Sequence, residues 1–282
     1  SSPDPSTAGL RATATGSLAC RDLPVADLPG RVAIVTGASA GIGQATARAL
    51  GRAGMRVALC ARRRARLEAL AAEMRGAGAE AAAYPLDVTD APAVGAMVDD
   101  VAARWGRVDV LINNAGRGFA ARFEDTAPQE FRDLLELNVL AVLTATQAVL
   151  PLMRRQGRGH IVNVSSVVGR RGIRGRAAYA ATKFALGGLT EALRMELRGS
   201  GIAVSLVYPI YTTTEFHDVE TKRVVFPRMG PVQSAEQVAR AIVRCVKRPR
   251  AEVYPYWPVR LLAVLSAAAP GLVDRVLARL QR

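Results

Sequence analysis

The stretch RVAIVTGASAGIG, residues 31–43, runs from an apolar segment into a glycine-rich turn and on into a helical pattern. An apolar run without alternation reads as a strand covered on both faces, the kind found in parallel sheets. Gly37 permits a tight turn, Gly41 lets the backbone approach a pyrophosphate, and Gly43 allows close packing of helix on strand. The N–H groups and positive dipole end of the following helix favour an anion there. The spacing T-G-x-x-x-G-x-G differs from the usual G-x-G-x-x-G. On its own the stretch is equally well an ordinary strand-to-helix turn.

Working outward, the same alternation continues. RVALC (56–60), AEAAAYPLDV (79–88), VDVLINNAG (108–116), HIVNVSS (160–166), IAVSLVYP (202–209) and AEVYPYW (251–257) read as strands. Helical patterns of a dozen residues or more separate most of them, including a long helical region from about Pro128 to Arg155, where Asn138 is expected to break or tether the helix. Strand–helix–strand units with right-handed crossovers give a doubly wound parallel sheet with helices on both sides. One Rossmann-type, three-layer α/β domain is therefore expected over 29–257. Residues 1–28, rich in small and polar residues, read as a flexible tail. Residues 258–282 read as an apolar helical extension broken at Pro270-Gly271.

The chain has 282 residues, half of them apolar and 22% charged, which suits one folded domain with an aliphatic core. The net charge of +14 favours anionic partners. Its arginines are scattered, with no RNA-binding signature or aromatic ladder, so nucleic acid is not expected. Cys20, Cys60 and Cys245 lie far apart and form no C-x-x-C pair, so a reducing cytoplasm is expected, with Cys60 a buried small hydrophobe. Two histidines without clustered partners predict no metal site. No apolar stretch is expected to approach the roughly 20 residues of a membrane helix.

TGASAGIG (36–43), LDV (86–88), NNAG (113–116), Asn138, VSS (164–166) and YAATK (179–183) occur in the order and at the spacings of the short-chain dehydrogenase/reductase family. The chain closely resembles that family from about residue 28 to 255. The resemblance implies a nicotinamide cofactor, a small carbonyl or alcohol substrate, and a homodimer or homotetramer. It implies cofactor contacts from Gly37, Ser39, Gly41, Ile42 and Gly43. It also implies that Asp87 meets the adenine amino group beside Val88, that Asn113 meets the ribose region, and that Pro209 and Thr212 face the nicotinamide half.

The second strand ends near Ala61, where a dinucleotide fold tests the ribose 2′ position. No acid lies between Gly54 and Leu67, and four arginines do: Arg62, Arg63, Arg64 and Arg66, with Arg56 earlier in the strand. Guanidinium forks match phosphate, so NADP(H) is expected ahead of NAD, with Arg62 as main ligand and Arg63 as helper. Arg64 and Arg66 read as solvated helix surface.

Tyr179 and Lys183, four residues apart, share a helix face. Alone, such a pair is commonly plain surface or core. By the resemblance, Ser166, 13 positions before Tyr179, is the substrate-polarising serine. Tyr179 is the acid/base and Lys183 binds the nicotinamide ribose. Asn138 holds a water in a proton relay. A free phenol, near pKa 10, is about three units too weak an acid at neutral pH. An ammonium about 4 Å away at an effective dielectric near 20 supplies about 4 kcal/mol toward phenolate. The segment 210–231, with Tyr211, Phe216, His217 and Phe226, reads as a substrate lid. Arg170, Arg171, Arg174 and Arg176 read either as a site for an anionic acyl carrier or coenzyme A thioester, or as a solvated loop. The C-terminal stretch could cover the cleft, join an oligomer or lie on a membrane surface; packing on protein is the expectation adopted.

Overall fold

In the computed structural model, which describes residues 27–217, 220–224 and 230–280, β1 (Val32–Thr36) is buried at every position. The turn at Gly37 leads into α1 (Gly41–Arg52), followed by β2 (Arg56–Ala61), α2 (Arg64–Gly76), β3 (Ala81–Pro85), α3 (Ala91–Trp105) and β4 (Val110–Asn113). After the short β5 (Phe119–Ala120) come α4 (Pro128–Leu135), a π-helical turn (Glu136–Leu140) and α5 (Ala141–Gln156). Then follow β6 (Gly159–Val164), α6 (Ala177–Glu196), β7 (Ile202–Val207) and the two-residue strands β8 (Thr212–Thr213), β9 (Thr221–Lys222) and β10 (Gln233–Ser234). The chain closes with α7 (Ala235–Lys247), β11 (Glu252–Val253), α8 (Pro258–Ala268) and α9 (Pro270–Leu280).

The main sheet has the order β3-β2-β1-β4-β6-β7-β11, and every neighbouring pair is parallel. Side chains alternate across it. Ala33 and Val35 face a core closed by α1, α2 and α7, while Val32 and Ile34 face one closed by α3 and α5. This is the doubly wound, Rossmann-type architecture expected. The order reverses between β1 and β4, where the following loops diverge and open a crevice at the carboxyl ends of the strands.

The helical region expected over 128–155 carries a π-helical turn at Asn138, whose side chain is drawn into hydrogen bonds outside its own helix. Two expectations need correction. That same run, Pro128–Gln156, contains an 18-residue window of mean hydropathy 1.5, so a helix of membrane-spanning length and composition does exist. It is a core helix of this fold, burying Val142, Ala145, Val149 and Met153. Finally, Leu28 is buried in the core, so the folded part reaches at least that far. The tail expected at 1–28, Cys20 and the lid residue Phe226 otherwise lie outside the described residues.

Candidate active site

A cleft of about 980 Å³ opens at the crevice. Loops after β1, β2, β4, β6 and β7 form its walls, and parts of the 210–232 segment, α8 and α9 line it as well.

At one end the glycine loop does what its sequence requires. Gly37 has φ 67° and Gly41 φ 55°, conformations that favour glycine. A Cβ on Gly37 would lie 2.9 Å from the Ala115 backbone, and one on Gly43 would lie 2.3 Å from the Gly37 carbonyl oxygen. Gly43 thus serves packing of α1 against the turn itself. The Thr36 hydroxyl accepts N–H bonds from Asn114 and Ala115, both at 3.0 Å, and fastens the loop after β4 to the loop after β1. Ser39, Ile42, Asp87, Val88 and Thr212 all line the cleft. No acid occupies the first turn of α1, so the anion-attracting helix end is not offset locally. These residues fit a dinucleotide: a glycine cradle that any Cβ would fill, at a helix N-terminus, beside basic side chains.

Asn113 is placed differently from expectation. Its amide is buried and donates to Asn163 at 2.9 Å and Thr146 at 3.3 Å. Its side chain braces the sheet interior, and the cleft wall is formed by Asn114, Ala115 and Gly116.

Arg62 and Arg63 both line the cleft. Arg62 is mostly exposed and stands 3.6 Å from Asp87. Burial opposes ionisation of Asp87, but hydrogen bonds from Thr89 and the Arg62 charge outweigh it and hold the carboxyl below its ordinary value. Arg63 is the more firmly built: its Nε donates to the buried Ser39 Oγ at 3.0 Å, and its Nη1 to Glu215 at 2.8 Å. Arg66 also bonds Glu215, at 2.5 and 2.6 Å. Arg66 is therefore a tie to the 210–231 segment and not the plain surface expected. Arg64 pairs with Glu68 one turn on, as surface.

At the other end, Tyr179, Lys183 and Ser166 converge. Burial pushes the Tyr179 phenol up to about 12, while its hydrogen bond with Ser166 and the Arg176 charge act in the opposite direction. Burial brings Lys183 down to about 8. The ammonium donates to the Val164 carbonyl at 3.1 Å and sits 5.8 Å from the Tyr179 ring centre. At that separation, with the same dielectric, its preference for phenolate is about 3 kcal/mol. Desolvation outweighs these attractions in the site as described, and the phenol is held above its ordinary value.

Ser165 is buried and donates to the Lys183 carbonyl at 3.2 Å, which leaves Ser166 as the serine beside the phenol. Asn138 Nδ2 donates to the Arg117 carbonyl and to Thr182 Oγ1, both at 3.1 Å, and its Oδ1 accepts from Arg117 N–H at 3.0 Å. Its amide is thus engaged with protein groups and positions the 116–117 backbone beside Lys183. Pro209 lines the cleft, and its carbonyl accepts from Val167 N–H at 3.0 Å.

Three arginines of the arginine-rich loop are held by acids of other segments, and all four line the cleft. Arg170 pairs with Glu252 and with Glu191, Arg171 with Asp274 of α9, and Arg176 with the buried Glu220. Sequence reading missed Asn114, Thr182, Glu215 and Glu220. A polar residue inside a family motif signals the first two, in NNAG and YAATK, and nothing local signals the glutamates. Phe216 of the 210–231 segment tilts toward Tyr179 with ring centres 6.2 Å apart.

Known proteins share this arrangement. The family model for short chain dehydrogenase matches residues 31–224. Ketoacyl reductase HetN of Nostoc sp. is 32% identical over 255 residues, covering 88% of each chain. A short-chain dehydrogenase/reductase from Burkholderia phymatum, solved in complex with NAD, superposes with a TM-score of 0.80 at 26% identity, covering 88% of this chain and 96% of that one. An actinorhodin polyketide ketoreductase variant with NADPH gives a TM-score of 0.72 at 34% identity, covering 79% and 94%. With the family model matched over residues 31–224 and a relative 32% identical over 88% of each chain, the chain belongs to the short-chain dehydrogenase/reductase family of NAD(P)-dependent oxidoreductases.

Proposed function

We propose that the protein is an NADP(H)-dependent oxidoreductase of a ketone/secondary alcohol pair. The observation that carries the chemistry is the buried Tyr179 phenol between Ser166 and Lys183 at one end of the cleft. The cofactor, when bound, supplies or accepts the hydride. Ser166 holds and polarises the substrate oxygen. Tyr179, neutral at physiological pH, hands its proton to that oxygen as charge develops there. Lys183 stabilises the resulting phenolate through its charge. Asn138 acts as a positioning residue for the backbone beside Lys183.

The preference for NADP(H) rests on Arg62 and Arg63 at the end of β2, with Arg63 anchored on Ser39 of the glycine loop. A second reading, reduction of a 3-oxoacyl thioester, draws support from the ketoacyl reductase relative. The internal pairing of Arg170, Arg171 and Arg176 weighs against those residues as a carrier-docking site.

A carbonyl panel including ketones and 3-oxoacyl thioesters, followed by NADPH oxidation, tests the reading. Tyr179→Phe is expected to abolish turnover while NADPH binding survives. Retained turnover in that variant would falsify the assignment, and a wild-type preference for NADH would remove the 2′-phosphate role from Arg62 and Arg63.

A further inference from the structure

The inner side of α8 and α9 lines the cleft through Val259, Leu262, Ala263, Val276 and Leu277. Their outer side meets water with large apolar groups. Trp257 is 70% exposed, Val264 61%, Leu272 59%, Leu261 57% and Leu265 55%. A helix that is apolar all round is normally buried, and α8 carries a single charge, Arg260. At 11 residues it is roughly 16 Å long, too short to cross a bilayer and suited to lying in one.

The charge around this face selects its occupant. Asp274 is the sole acid from residue 254 to 280, and it is tied to Arg171. Arg260, Arg275 and Arg279 are exposed, on a chain of net charge +14. Two copies meeting through this face would bring like charges together. Anionic headgroups would complement them, with aliphatic side chains entering the acyl boundary and Trp257 at the polar interface.

We infer that the outer face of α8 and α9 docks on an anionic lipid surface. Because the inner face of the same helices lines the cleft, docking sets the cleft beside the headgroup layer. A lipophilic carbonyl substrate then enters from the bilayer; this clause rests on the oxidoreductase reading, and the docking itself does not.

The test is flotation of the full chain with vesicles of phosphatidylcholine containing phosphatidylglycerol, against phosphatidylcholine alone. The chain is expected to float with the anionic vesicles. The double variant Leu261→Ser, Leu265→Ser, which changes no charge and no cleft residue, is expected to lose about tenfold or more of the vesicle-bound fraction. Its turnover of a short, water-soluble ketone should be unchanged. In a Trp105→Phe background, Trp257 is the one tryptophan left, and its emission should shift to the blue on anionic vesicles. Three results overturn the inference: no flotation of the wild type, undiminished flotation of the serine variant, or an oligomer in sedimentation that the serine variant alone dissolves without vesicle binding. Flotation without turnover of any carbonyl would instead count against the oxidoreductase reading and leave the docking standing.

Discussion

Lys183→Met separates what the lysine does for the fold from what it does for the reaction. Burial lowers its pKa from 10.5 to about 8. Holding the ammonium in the folded site at pH 7 therefore costs about 3 kcal/mol. The unfolded chain keeps that proton up to its own higher pKa. Between the two values the unfolded state binds more protons, and wild-type stability rises with pH. Below pH 8 the cost is fully present.

Methionine is nearly as long and removes the charge, so the cost disappears. It also leaves the Val164 carbonyl, now bonded at 3.1 Å, without its donor, a loss of about 1–2 kcal/mol. The net expectation at pH 7 is a gain of about 1–2 kcal/mol, a rise in Tm of a few degrees. As pH climbs from 8 toward 10.5 that gain fades and reverses, because the wild type has shed its proton and kept its hydrogen bond. Activity moves the other way. An ammonium 5.8 Å from the phenol ring centre contributes about 3 kcal/mol to the charge that forms there, so kcat/KM should fall about a hundredfold. Thermal melts at pH 7 and pH 10, with carbonyl reduction assayed in parallel, check both signs. A lower Tm at pH 7, or turnover within threefold of wild type, refutes the reasoning.

Two further outcomes follow from buried or bridging charges. His160 is brought down to about 4 by burial; its Nε2 meets Ser205 Oγ at 2.7 Å and its Nδ1 has no hydrogen-bond partner among the described residues. A base with a depressed folded pKa contributes its stability above its ordinary value near 6.5 and loses it as pH falls toward 4, about 3 kcal/mol in all. Between pH 7 and pH 4.5, urea unfolding should show the wild type losing about 2–3 kcal/mol more than His160→Gln, and equal losses would contradict the linkage. Glu215 occupies the guanidinium of Arg63, one of the two groups proposed to meet a 2′-phosphate, and also bonds Arg66. Glu215→Gln is expected to tighten NADPH binding about two- to fivefold and leave NADH unchanged in titration calorimetry, the range of an exposed ion pair. Weaker NADPH binding would mean that Glu215 orients the arginines for phosphate instead of competing with it.

The parts of this molecule legible in sequence are those whose chemistry is local. Gly37 and Gly41 answer to backbone angles, Tyr179 and Lys183 to a single helical turn, and the alternating strands to the two cores they separate. What escaped is carried by contacts between residues far apart along the chain. Glu215 meets Arg66 across 149 positions, and Arg171 meets Asp274 across 103. Neither carboxylate has a neighbour in sequence that marks it. From sequence, therefore, Arg66 reads as solvated surface, and Arg170, Arg171 and Arg176 read as carrier site or solvated loop, because the acids that pair with them lie far along the chain. Asn113 and Asn114 make the same point at close range: adjacent amides in one motif, one turned into the sheet and one tying two loops, decided by strand pleat and not by residue type. The same logic separates α8 from the rest. Its composition reads as buried on every side, and only the packing of its inner face against the cleft leaves Leu261 and Leu265 facing outward, where a charge-poor helix needs an apolar neighbour that none of the described residues supplies.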